Sequence, residues 1–181
     1  MNKDSAARKI TYMAMLIVLN IILTRIASIR IAIGNVEAIR IGFGGLPLIF
    51  GGILMGPMAG GIIGAVGDIV GYGINPMGPY MPHFTLTSAL TGIIPALVLK
   101  IMKTKNYRFW EILFAIAVGQ TVTSILLVPY FLNKLFGIPL IYKMTTAAIT
   151  QAVNIPLYTL LIKILLKRIN LPVAITREYK P

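Results

Sequence analysis

The chain has 181 residues, enough for one domain, and is 57% hydrophobic and only 12% charged, which excludes an ordinary soluble globule and points to an integral membrane protein. Seventeen Lys and Arg against five Asp and Glu give a net charge of +12, but the positives cluster between apolar runs instead of forming a nucleic-acid face. With no Cys and a single His, disulfide frameworks, thiolate nucleophiles, Cys-based metal sites and two-histidine metal motifs are excluded.

Apolar stretches long enough to cross roughly 30 Å of hydrocarbon are predicted at residues 10–33, 39–55, 58–72, 84–102, 110–132 and 142–166. The expected fold is an all-α membrane protein, a six-transmembrane-helix bundle forming one domain over 1–181. Lys3, Arg8 and Lys9 precede the first run. That run is too long for a signal-peptide core, and no small-x-small cleavage site follows a short core, so it is expected to be the first span. Only Gly56 and Pro57 part the second and third spans, which reads as a tight helical hairpin, glycine ending one helix and proline opening the next. Further basic clusters stand at Lys100, Lys103, Lys105 and Arg108, and at Lys163, Lys167, Arg168, Arg177 and Lys180. An even number of spans between each pair of clusters puts all three, and both termini, in the cytoplasm.

The opposite face then carries loops at 25–40, 73–83 and 134–143, with Arg25, Arg30, Arg40, Lys134 and Lys143 against Glu37. Lys134 and Lys143 read as headgroup contacts of long side chains. Arg40 is expected at the start of an apolar span, where an arginine needs a partner or a watery cavity.

Thirteen of the seventeen glycines lie between Gly42 and Gly78. Gly60, Gly64, Gly67 and Gly71 fall on one helix face, where a neighbouring helix or a flat ligand can approach the backbone. Asp68 is the one acidic residue deep in an apolar span. It reads either as the partner of Arg40 or another outer arginine, or as a contact for a nitrogen heterocycle. The run from Gly73 to His83, with three prolines, is expected to be a stiff non-helical lid leading into Phe84-Thr85-Leu86-Thr87-Ser88, a helix start supplied with hydroxyls. His83 is a polar interface residue or a ligand contact. Gln120, Thr121, Thr123 and Ser124, and then Thr150, Gln151, Asn154 and Tyr158, form polar stripes in the last two spans. Such stripes face the bundle interior, because lipid cannot satisfy their hydrogen bonds; they either bond between helices or line a cavity.

No phosphate loop, Ser-His-Asp set, His-Glu-x-x-His motif or paired intramembrane carboxylates occur in the sequence, so catalysis and nucleotide hydrolysis by this chain are not expected. The segments Arg40-Ile41-Gly42-Phe43-Gly44-Gly45-Leu46-Pro47, Gly52 through Gly60, Gly67-Asp68 and Gly78 through Thr87 resemble the substrate-binding S components of energy-coupling-factor (ECF) vitamin transporters, and among them the folate-specific members. The resemblance spans nearly the whole chain. It implies high-affinity folate capture in the membrane of a bacterial cell, in a pocket gated by the loops after the first and third helices. Delivery would run through a scaffold transmembrane subunit and two cytoplasmic ATPases, which use the ATP; no cofactor is expected in this chain. The family's small-x-x-x-small pair for scaffold docking corresponds to Ala14 and Val18, the second of which is not small.

Folate is a flat pteridine with donors and acceptors on one edge, an aromatic linker and a glutamate tail, so its pocket should supply stacking, a paired polar partner and cations. Phe43, Tyr80 and Phe84 could sandwich the rings. Asp68, Gln120, Gln151 or Asn154 could read the pteridine edge, Arg25, Arg30 and Arg40 could hold the tail, and His83 and Thr85 complete the candidate set. The competing readings are an S component for riboflavin, pantothenate or thiamine, a membrane enzyme, and a structural membrane subunit. Riboflavin, without carboxylates, would leave the outer arginines without a task.

Overall fold

The computed structural model describes residues 3–26, 29–33, 36–76, 80–104 and 107–168, with side chains for all of these except 3–5, 26, 29–33 and 36–41. Among the described residues the chain forms six helical rods. Helix α1 (Lys3–Ile21) runs on as a π-helical turn over Ile22–Ile26. It is followed by α2 (Gly45–Met55), α3 (Pro57–Ile74) and α4 (Pro82–Ile101). The fifth rod joins α5 (Phe109–Gln120), a π-helical segment Thr121–Leu127 and α6 (Val128–Phe136), and α7 (Leu140–Arg168) is the sixth. Between α1 and α2, β1 (Ile29–Ile33) and β2 (Val36–Ile41) pair antiparallel, with Arg30 opposite Arg40 and an irregularity between Ile31 and Ala32.

The hairpin corrects two of the expected spans. The stretch 10–33 is not one helix: its helical part ends at Ile26, and Ile29–Ile33 is strand. The stretch 39–55 begins in β2 and turns helical only at Gly45, so Arg40 sits in a strand and not at a helix start. Isoleucines alternating with Arg and Ala satisfy a strand's two-residue period as readily as they lengthen an apolar run. The run 73–83 is also less than wholly irregular, since α3 extends to Ile74 and α4 starts at Pro82. The last three expected spans match α4, the α5–α6 rod and α7 to within a few residues.

Among the described residues five stretches, Ala6–Arg25, α3, α4, the α5–α6 rod and α7, are long and apolar enough to cross a membrane. Helix α2, with 11 residues, rises only about 16 Å, roughly half the hydrocarbon thickness. It is the innermost helix, buried from Leu46 to Met55. Its Ile49 and Ile53 meet Ile63 of α3, Leu99 of α4, Ile112 and Ile116 of α5 and Ile162 of α7 in one core. The outward faces carry exposed Met58, Ile101, Trp110 and Ile141, the inverse of a soluble protein and suited to lipid.

Gly56, at φ 97°, breaks the chain between α2 and α3, and Pro57 opens α3, as the Gly-Pro pair led one to expect. The glycine face of α3 serves two neighbours. A Cβ on Gly60 would lie 2.6 Å from the Gly92 carbonyl oxygen of α4, and one on Gly64 would lie 2.4 Å from that of Ser88, so these two let backbones touch. Further along, a Cβ on Gly67 would meet the Asn20 side chain and one on Gly71 the Arg25 guanidinium. These two open a slot in which polar side chains of the α1 rod lie across α3. In the fifth rod, Pro129 is buried and has no N–H to continue the ladder. The preceding π segment, in which the Val128 N–H bonds the Thr123 carbonyl, widens the helix where the proline ring would crowd it.

Candidate functional site

A cavity of about 240 Å³ lies where the first π turn, the start of α2, the last turns of α3, the first turns of α4, the second π segment and the middle of α7 converge. Its lining is strongly polar for a membrane interior. Arg25, Asp68, Gln120, Gln151 and Asn154, all candidates from sequence, face it together.

At one side Arg25 and Asp68 form an ion pair, with guanidinium nitrogen and carboxylate oxygen 3.7 Å apart. The guanidinium also donates to the carbonyl of Asn75 at 3.1 Å. The second carboxylate oxygen of Asp68 accepts from the Thr85 hydroxyl at 2.7 Å. Since that bond uses the Thr85 proton, the Tyr80 hydroxyl, 3.1 Å away, is the donor in the next link. Asp68 is therefore the partner of an outer arginine, and that arginine is Arg25. The side chains of Arg30 and Arg40 lie outside the described residues, so their place in the site is left with the sequence; their backbones face each other in the hairpin.

On the α7 side the cavity meets amides. Gln151 and Asn154 are buried, and the side-chain carbonyl oxygens of both have no hydrogen-bond partner. An unpaired buried acceptor costs about 1–3 kcal/mol, so two beside one cavity mark a place where a ligand's N–H or O–H groups belong. Gln120, by contrast, accepts from Ser124 at 2.7 Å.

The aromatic candidates fall elsewhere. Phe43 packs on the hydrophobic core. Tyr80 leans on Tyr72 with ring centres 5.2 Å apart, and exposed His83 on Phe131 at 4.8 Å. Phe84 is half-buried, and none of the four lines the cavity. Thr85 reaches the site only through Asp68. Thr121 is exposed, unlike its neighbours in the polar stripe. Ala14 and Val18 are both exposed on α1 and do not line the cavity. Thr123, Ser124 and Tyr158 of the polar stripes line the cavity, and so do Asn20, Thr24, Thr87 and Thr91, which lie outside the candidate set. Asn20 was legible in principle as the one amide in the apolar run after Arg8 and Lys9, where it must face protein.

A family model for the ECF-type riboflavin transporter S component matches residues 4–168. The chain belongs to the ECF-type S components. This family is a transporter component and not an enzyme. A curated relative of this S component, the folate transporter FolT of Clostridium novyi (strain NT), is 31% identical over 151 residues, 83% of either chain. Among solved structures, the crystal structure of FolT bound with folic acid superposes with a TM-score of 0.75 at 22% identity, covering 95% of this chain and 97% of the other. An S component for biotin gives a TM-score of 0.68 at 18% identity, covering 93% and 95%. At such identities the likeness is one of fold.

Proposed function

We propose that this S component captures folate in the cavity between Arg25 and α7. The observation that carries the reading is the pair of unpartnered carbonyl oxygens on Gln151 and Asn154 across a cavity also lined by Arg25. The amino group and ring N–H of a pteridine are donors for the first, and a glutamate carboxylate is the charge-assisted partner of the second. The 31% identical FolT of Clostridium novyi supports folate as the occupant. In this reading the pteridine enters first and lies against the middle of α7. The tail stays near the last turns of α3, where Arg25 exchanges Asp68 for a ligand carboxylate; Arg30 and Arg40 are kept as tail-holding candidates on the sequence alone.

The six rods are proposed to be six spans, α2 being completed across the bilayer by the chain before it, with both termini in the cytoplasm of a bacterial plasma membrane. The basic clusters at the start of α1, between α4 and α5, and at the end of α7 support that orientation. A scaffold transmembrane subunit and two cytoplasmic ATPases are the proposed partners, and ATP is theirs to use. Only 6% of the span Ala6–Arg25 is buried, against 33–39% of the other four. This leaves α1, with Ala14 and Val18, as the face offered to the scaffold.

A second reading, riboflavin, follows from the family model's description. Its N3–H and ribityl hydroxyls would suit the amide oxygens but would offer Arg25 no carboxylate, leaving it paired with Asp68. Equilibrium titration with folate and with pteroate, which lacks the glutamate, tests the tail. The wild-type chain is expected to bind folate at least tenfold more tightly, about 1.4 kcal/mol, and Arg25→Ala to bind the two alike. Equal affinity of the wild type for both compounds would remove the arginine from the site.

A further inference from the structure

Two of the polar side chains that line the cavity also bond the joint between the hairpin and α2. β2 passes into α2 through Gly42, Phe43 and Gly44. This irregular backbone is partly buried against the bundle, and its carbonyls need partners from the protein. Two of those carbonyls are taken by side chains distant in sequence. The Tyr158 hydroxyl of α7 donates to the Gly42 carbonyl in a close contact, and the Asn20 amide of α1 donates to the Gly44 carbonyl at 2.7 Å.

The joint is built for both freedom and closeness. A Cβ on Gly44 would lie 2.2 Å from the Thr24 hydroxyl, and one on Gly45 would lie 3.1 Å from the Tyr158 ring. Glycine therefore permits the approach while leaving the backbone soft. Beyond the joint, β2 packs along α7. Asn20, Tyr158, Gly42 and Gly44 all border the cavity, so an occupant of the cavity sits against the clamp itself.

We infer that Asn20 and Tyr158 are positioning residues that pin the base of the β1–β2 hairpin, and that this two-point clamp sets how long a ligand is retained. The inference rests on the cavity being the ligand site, but it does not depend on the ligand being folate. Loss of one donor frees a glycine-rich joint, and the hairpin then leaves α7 more often.

Hydrogen exchange read by mass spectrometry on the ligand-free, detergent-purified full chain tests it, with Tyr158→Phe and Asn20→Leu, each close in shape to the wild-type side chain. Removing one hydrogen bond of ordinary strength should raise exchange in residues 29–41 roughly three- to tenfold, and folate dissociation by a similar factor, with α3 and α4 unchanged. Thr91→Ala is the control: Thr91 lines the cavity but bonds only within its own helix, to the Thr87 carbonyl, and should leave the exchange of 29–41 unaltered. Two results overturn the clamp: unchanged exchange of 29–41 in whichever clamp variant folds, or a rise spread equally over α2, α3 and α4. Because exchange is read without ligand, a failure of the folate assignment is seen separately, as absent wild-type binding.

Discussion

Asn154 illustrates how a single side chain can be set against stability for the sake of binding. Its side-chain carbonyl oxygen is buried and unpaired, so Asn154→Leu should stabilise the ligand-free protein by about 1 kcal/mol, through removal of that desolvated acceptor. The same change should weaken folate binding at least tenfold; thermal unfolding and titration of the purified variant check the two halves. A loss of both stability and affinity would instead make Asn154 a structural hydrogen-bonding residue. Arg25, Asp68, Gln120, Gln151 and Asn154 were all legible in the sequence, because a polar group in an apolar run has nowhere to go but the protein interior. The aromatic residues were not. Phe43 and Tyr80 satisfy the rules for a ring-stacking pocket and equally those for core packing or a ring pair, and the fold uses them in the second way. Nor could spacing tell which arginine Asp68 would choose, since that depends on Gly71 leaving room for the Arg25 guanidinium.

At the scale of elements, the crossing of α2, α3 and α4 is made by Gly52, Gly60 and Gly92. A Cβ on Gly92 would lie 2.4 Å from the Gly60 carbonyl oxygen and one on Gly52 2.2 Å from that of Gly92, so backbone must move to admit either. Gly92→Ala is expected to cost about 1–3 kcal/mol, measured as a lowered thermal midpoint in detergent. Gly73→Ala, where a Cβ would meet nothing within 4 Å, should be neutral or slightly stabilising through helix propensity. Equal destabilisation by both would show that glycine flexibility, and not backbone contact, is what α3 and α4 require. Helices α4 to α7 could be read from apolar length and from Gly and Pro punctuation. The hairpin could not be read that way, since Ile29-Arg30-Ile31-Ala32-Ile33 and Ile39-Arg40-Ile41 adjoin the apolar runs of α1 and α2 and look like their ends. The alternation, with Gly34-Asn35 between, was the available strand signal. The π segment before Pro129 was equally silent, because a proline within an apolar run marks a disturbance without saying which kind.

For the whole molecule, the division of labour follows from where polarity is placed. Among the described residues the bundle exposes apolar side chains outward and gathers buried amides, hydroxyls and the Arg25–Asp68 ion pair around the central cavity. Helix α2, short and buried on every side, leaves room at one end for that space and for the hairpin beside it. In the proposed function this arrangement supplies the grip on the ligand, and the scarcely covered α1 the face for the partner subunits that supply the energy. The most direct measurement of the central claim is calorimetric titration of the detergent-purified chain with folate and, in parallel, riboflavin. Tight one-to-one binding of folate, with riboflavin at least a hundredfold weaker, about 2.7 kcal/mol, is the predicted result. Tight binding of riboflavin with none of folate would contradict it, keeping the S-component family while showing that Arg25 serves the fold and not the ligand.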